Sequence, residues 1–164
     1  MSLITFIRKA TSYDCEEIYN VHLFAVQYAC KNCYDDKILE AWSQLLYPES
    51  YLASLKNKEL WLIEYKNQIQ GFFQLDLKNA ELDALYVHPF VHNNGLGTAL
   101  IQKAEKIAYD SNLTFIKLYA SLNSVYFYEL SGYKKLQSCQ LMLNNKTGID
   151  CVFMKKDLME EYGL

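Results

Sequence analysis

The run of residues 80–108 constrains this chain more than any other. Residues 80–87 read as a strand, and His88-Pro89 stops it because proline has no N–H to give to a ladder. A polar loop, His92-Asn93-Asn94, leads into Gly95-Leu96-Gly97, after which Leu100, Ile101, Ala104, Ile107 and Ala108 recur at helical spacing. A strand that turns through glycines into an amphipathic helix packs that helix back on its own sheet, so the second half needs a βα crossover.

The flanking segments supply the rest of the sheet. Residues 4–8 alternate as a first strand. With Thr11 or Ser12 as cap and Asp14, Glu16 and Glu17 in the first turn, Ile18, Val21, Ala25, Tyr28 and Ala29 predict one long first helix. Residues 35–45 form a second helical stretch, and Pro48 opens a short third. Residues 60–65 and 69–77 read as a hairpin about the polar turn Lys66-Asn67-Gln68. Further on, 115–119 is a strand, 124–130 a short helix ended by Gly132, and 151–154 a last strand. The order βαα, a three-strand meander, then α, β, α, β, β predicts a mainly antiparallel sheet flanked by helices.

Composition narrows the class. With 164 residues, 51% hydrophobic and only six Gly and two Pro, the chain is neither disordered nor collagen-like, and nothing divides residues 1–164, so one domain is expected. A formal net charge of −3 argues against nucleic acid as the partner. No apolar run reaches the roughly 18 residues needed to span a bilayer, and the start lacks a basic segment followed by an apolar one, so the expectation is no membrane partner and a soluble, cytoplasmic location. Five Cys without framework spacing fit reduced thiols. Cys30 and Cys33 form a lone CxxC without four zinc ligands, and no His/Asp/Glu spacing suggests a metal. His22 falls at helical spacing with Ile18 and Ala25, which suits a core or boundary histidine.

Chemically, free N–H groups and a positive helix end converge at Gly95-Leu96-Gly97, a place that suits an anion, although a tight turn with close helix packing uses the same glycines. The third glycine of a dinucleotide fingerprint is absent, with Leu100 in its place, and no Gly-Lys-Ser/Thr is present. The run Leu85-Tyr86-Val87 followed by His92-Asn93-Asn94-Gly95-Leu96-Gly97 resembles the signature of the GNAT superfamily of acyl-CoA-dependent N-acetyltransferases, with His92 where Arg or Gln is usual. A second family segment is matched by Asn123-Ser124-Val125-Tyr126-Phe127-Tyr128-Glu129-Leu130-Ser131-Gly132-Tyr133, and the start Ile7-Arg8-Lys9-Ala10-Thr11 is similar as well. Residues 34–42 and 148–155 look similar to a bacterial branch of small members with mostly undefined substrates.

The resemblance implies an α+β fold (an α/β sandwich): a mixed, mostly antiparallel sheet of six to seven strands flanked by helices and splayed between strands four and five. It implies acetyl-CoA as cosubstrate and no metal. Leu85, Tyr86 and Val87 would hold the pantetheine arm and thioester along the strand. The amides of His92, Asn93, Asn94, Gly95, Leu96, Gly97 and Thr98 would hold the pyrophosphate, with Asn123 bonding the arm or capping a helix. Glu81 is implied as general base, with Asp83 second by strand alternation; solvated edge charges or electrostatic substrate contacts are the other reading. Tyr128 is implied as proton donor to the departing thiolate, against a packing role among 14 Tyr. The activity implied is acetyl transfer to a primary amine on a small molecule or peptide by direct attack in a ternary complex. The alternative is a weak or inactive acyl-CoA-binding, regulatory or interaction module. A homodimer is also compatible.

Overall fold

The computed structural model describes residues 5–91 and 95–163. The chain runs β1 (Thr5–Lys9), α1 (Cys15–Phe24), α2 (Asp36–Ser43), α3 (Tyr51–Asn57), β2 (Glu59–Tyr65), β3 (Gln68–Asp76), β4 (Glu81–Val87), α4 (Leu96–Asp110), β5 (Phe115–Ser121), α5 (Val125–Leu130), β6 (Lys134–Met142), β7 (Gly148–Asp157) and α6 (Met159–Tyr162). The seven strands form one sheet in the order β1-β2-β3-β4-β5-β7-β6. Every pair is antiparallel except β4 with β5, which α4 joins as the expected crossover.

The β2–β3 turn closes over Lys66 and Asn67, at φ +53° and +63°, which is the backbone that a two-residue hairpin loop needs to match strand twist. On one face, Leu100, Ile101, Ala104 and Ala108 of α4 pack against Ile63, Phe73, Leu75, Leu82, Ile116 and Leu118. On the other, Ile18 and Val21 of α1 meet Leu60, Leu62 and Phe72.

Two expectations are corrected. The first helix is not α-helical to Ala29: after Phe24 it continues as a π turn, Ala25–Ala29. The wider turn lets Val26 and Cys30 join Tyr34, Leu39 and Ile149 in a third core, while Tyr28, expected on the apolar face, is 44% exposed. The strand before the last one, given no bounds from sequence, is the nine-residue β6; its side chains are exposed at eight positions, so no alternation marks it. The last strand is longer than residues 151–154 on both sides.

Candidate active site

The parallel pairing of β4 with β5 holds at one rung only, Glu81 opposite Lys117, helped by the bond from Lys117 N–H to the Ala80 carbonyl at 2.9 Å. Beyond it the strands part, and a cleft of about 440 Å³ opens between them. From Asp83 on, β4 is half-buried although it is the sheet's central strand, because its β5-facing edge has lost its partner.

Just there, β4 also carries a bulge: Gln74 pairs with Ala84 and Leu75 with Leu82, so Asp83 is the extra residue. The bulge interrupts the expected alternation, yet the Glu81 and Asp83 carboxyls still meet. Asp83 Oδ2 accepts from Lys58 Nζ at 2.6 Å and from Gln74 Nε2 at 3.1 Å, and Asp76 lies 3.9 Å from the same ammonium. Asp83 lines the cleft; Glu81 stands at its closed end. Burial raises the Glu81 pKa above the ordinary glutamate value, the contact with Asp83 adds to this, and Lys117 opposes it.

Opposite β4, Leu118, Ala120 and Ser121 of β5 and the turn before α5 form the second wall. Tyr128 is 6% exposed and lines the cleft, its ring edge-on to Phe127 and Tyr133. Burial pushes its hydroxyl above the usual tyrosine range, so it keeps its proton at neutral pH. Asn123 lines the same wall and its side chain lies near the Cys30 thiol; the cap position of α5 belongs to Ser124. Tyr126 also reaches the cleft.

At the far end, α4 begins without a side-chain cap. Ala99 N–H is bonded to Gly95 C=O, the first intrahelical pairing, so the N–H groups of Leu96, Gly97 and Thr98 precede the ladder. The two glycines do different work. Gly95 sits at φ +75°, a left-handed conformation that side chains resist, whereas a Cβ on Gly97 would come within 3.2 Å of the Phe127 ring of α5. Leu85, Tyr86, Val87, Gly95, Leu96, Gly97 and Thr98 all line the cleft. His92, Asn93 and Asn94 lie outside the described residues.

The π turn brings Ala25, Ala29 and Cys30 to the cleft's third wall, a contribution that helical spacing alone did not reveal. Tyr34 fixes that wall: its hydroxyl donates to Asp150 C=O at 2.6 Å and accepts from Leu122 N–H at 2.8 Å. Behind Tyr86, His22 stacks at 4.2 Å and shares a hydrogen bond between Nδ1 and the Tyr51 hydroxyl at 2.8 Å. Its Nε2 is buried without a partner among the described residues, and burial lowers its pKa to about 3, so the ring is neutral. Burial lifts Cys30 to about 12, which makes it a packed thiol rather than half of a reactive pair. Among the described residues no group of three or more His, Cys, Asp or Glu forms a metal site, and no helix is long and apolar enough to cross a membrane.

Comparisons with known proteins place this architecture. The chain is similar to a GCN5-related N-acetyltransferase from Rhodopseudomonas palustris, with a TM-score of 0.88 at 22% identity over 96% of this chain and 98% of that one. It is similar to the PaiA N-acetyltransferase from Thermoplasma acidophilum, solved in complex with coenzyme A, with a TM-score of 0.78 at 24% identity over 96% and 99% of the two chains. The putative acetyltransferase YncA from Salmonella typhimurium, solved with acetyl-CoA, gives a TM-score of 0.66 at 17% identity over 94% of both. No curated protein matches the sequence significantly. At these identities the likenesses establish a shared fold; the family follows from sequence, where residues 25–158 match the model of the acetyltransferase (GNAT) domain. With the splayed β4–β5 pair, the uncapped α4 and that match over most of its length, the chain belongs to the GNAT acetyltransferase family.

Proposed function

We propose that the protein is an N-acetyltransferase that moves the acetyl group of acetyl-CoA to a primary amine by direct attack in a ternary complex. The observation that carries this reading is the gap that opens beyond the single Glu81–Lys117 rung, with polar groups of different character at its two ends. The free edge of β4 at Leu85, Tyr86 and Val87 offers backbone groups to a pantetheine arm as it would to an added strand. The N–H groups of Leu96, Gly97 and Thr98, with the positive end of a 15-residue helix, suit a pyrophosphate. In the proposed complex His92, Asn93 and Asn94 extend that cradle, and Asn123 bonds the arm from the opposite wall.

A free amine of pKa about 10.4 is neutral only about once in 2,500 molecules at pH 7, a deficit of about 4.6 kcal/mol, so a proton acceptor near the nucleophile accelerates attack. Glu81 is the first choice because its raised pKa brings it closer to working pH, and Asp83 second, since Lys58 and Gln74 already occupy its Oδ2. From the closed end of the cleft Glu81 acts through Asp83 or a water. As the tetrahedral intermediate collapses, the C–S bond breaks and charge gathers on sulfur. Tyr128, held protonated by burial, stabilises that thiolate by donating a hydrogen bond; full transfer to a less basic sulfur is uphill until charge has built up. The Asp76, Glu81 and Asp83 carboxylates, only partly offset by Lys58 and Lys117, favour a cationic acceptor.

A thiol-release assay over amines, polyamines and peptides, run beside acetyl-CoA calorimetry, tests the reading. Turnover with at least one amine, and a large loss of kcat in Tyr128→Phe, is expected. Acetyl-CoA binding without turnover on any acceptor would leave a binding module instead, and absence of binding would overturn both.

A further inference from the structure

Outside the cleft, two of the five cysteines meet. Cys139 of β6 and Cys151 of β7 are direct cross-strand partners, and their sulfurs lie 3.0 Å apart. Directly opposed residues of an antiparallel pair have Cα atoms about 4.5–5.5 Å apart, inside the range of about 4.4–6.8 Å that a disulfide spans without backbone movement. The two thiols differ in access: Cys139 is partly exposed on an edge strand that has no outer neighbour among the described residues, whereas Cys151 is buried beneath it. Cys15 and Cys30 are buried and Cys33 is exposed, each elsewhere in the fold. On the inner side Cys151 pairs with Ser121, which lines the cleft, so this rung is one strand away from the proposed active site.

We propose that Cys139 and Cys151 form a reversible redox modification site, with a small-molecule disulfide such as oxidised glutathione as co-reactant. The Cys139 thiolate attacks one glutathione sulfur, the glutathione S–S bond breaks, and one glutathione leaves as thiolate and takes up a proton. Cys151 then loses its proton and attacks Cys139 Sγ in the mixed disulfide, releasing the second glutathione. The two protein thiols have given up two electrons and two protons, and the oxidised glutathione has become two thiols. Burial, with the neighbouring Cys139, raises the Cys151 pKa to about 12, which fits it to the second, intramolecular step rather than the first.

The experiment treats the full chain with oxidised glutathione, quenches with acid, and maps the cysteines by mass spectrometry. The expected product has lost two hydrogens, bridges Cys139 to Cys151, melts several degrees higher than the reduced protein because β6 is pinned to β7, and reverts with dithiothreitol. Cys151→Ser should trap glutathione on Cys139, while Cys139→Ser should leave Cys151 free. Exposed Cys33 shows whether the reagent has acted. Glutathione on Cys33 with Cys139 and Cys151 both still free would overturn the site, as would a bridge joining any other pair. Equal labelling of Cys151 in Cys139→Ser would overturn the order of attack.

Discussion

Two charged clusters in this protein are built from the same residue types and solve opposite problems. On the α4 side, Glu105 is 1% and Lys156 8% exposed at the side chain, and every group is answered. Lys156 Nζ lies 2.9 and 3.1 Å from the two Glu105 oxygens and donates to Ser131 C=O at 2.8 Å, and the Tyr133 and Tyr162 hydroxyls each donate to Glu105 at 3.0 Å. Burial pulls the ammonium pKa down, but the bonds to Glu161 and Glu105 outweigh it and the net direction is up. At the cleft, Lys58 is 31% and Asp83 17% exposed, Lys58 and Lys117 only partly offset the carboxylates of Asp76, Glu81 and Asp83, and Glu81 is left with a raised pKa. A closed, satisfied cluster holds α4, α5 and the C-terminal strand together; an open, under-neutralised one leaves the Glu81 carboxyl above the ordinary glutamate value.

Breaking the closed cluster should have the largest effect on stability. Lys156→Met leaves Glu105 buried among hydroxyls with no cation, which costs about 3–5 kcal/mol. Urea titration measures the loss, and an unchanged midpoint would mean that the carboxylate is hydrated in the folded state. The open cluster should respond in rate instead. Glu81→Gln should lower kcat/KM about 100-fold or more, the range of a lost general base, with stability changed by less than about 1 kcal/mol. Because the Glu81 pKa is raised, the wild-type rate should fall on acidification through a midpoint above the ordinary glutamate value, and that acid limb should vanish in the variant. A retained limb would move the base to another group.

Apart from both clusters stands His22, neutral behind Tyr86 with one nitrogen unpartnered among the described residues. Its folded pKa of about 3 is below the unfolded value of about 6.5, so below pH 6.5 the unfolded chain binds a proton that the folded one refuses. Stability should therefore drop as pH falls, by about 2 kcal/mol between pH 6.5 and 5 from this group alone. Denaturation curves of the wild type and His22→Gln at the two pH values test this; parallel losses in both would show that His22 is charged in the fold.

The difference between the clusters also explains what could be read from sequence. The crossover and the Gly95/Gly97 turn were legible because backbone conformation and spacing are local, whereas Tyr128, which lines the cleft, was singled out only by the family resemblance. Glu105 was passed over: it interrupts the apolar stripe of Ile101, Ala104 and Ala108, and its cation is 51 residues away. The π turn was hidden because one added residue hardly disturbs helical spacing over two turns, though it decides that Ala25, Ala29 and Cys30 face the cleft. Edge strand β6 was nearly invisible because eight of its nine positions are exposed, so neither face demands alternation. Glu81 and Asp83 were legible as a pair, but the bulge that puts Asp83 in the cleft and leaves Glu81 at its closed end depends on pairing with β3.

The smallest predicted effect separates the clusters most directly, because it sets the loss of the open cluster's lysine against the loss of the closed cluster's lysine. Lys58→Met takes away an ammonium that is about one-third exposed, so it should cost no more than about 1 kcal/mol, well below Lys156→Met. Its consequence should be in titration. Lys58 interacts with Glu81 as well as with Asp83 and Asp76, and a nearby cation favours the carboxylate form, so its removal should raise the Glu81 pKa further. The acid limb of the pH–rate profile should move to higher pH while the rate on the alkaline plateau changes little, since the base itself is intact. In Lys156→Met, assayed under conditions where it remains folded, the limb should stay in place, because Lys156 bonds Glu105, Glu161 and Ser131 on the α4 side of the sheet. A limb that moved equally in both variants would mean that the rate reads the net charge of the protein rather than the carboxylates at the closed end of the cleft.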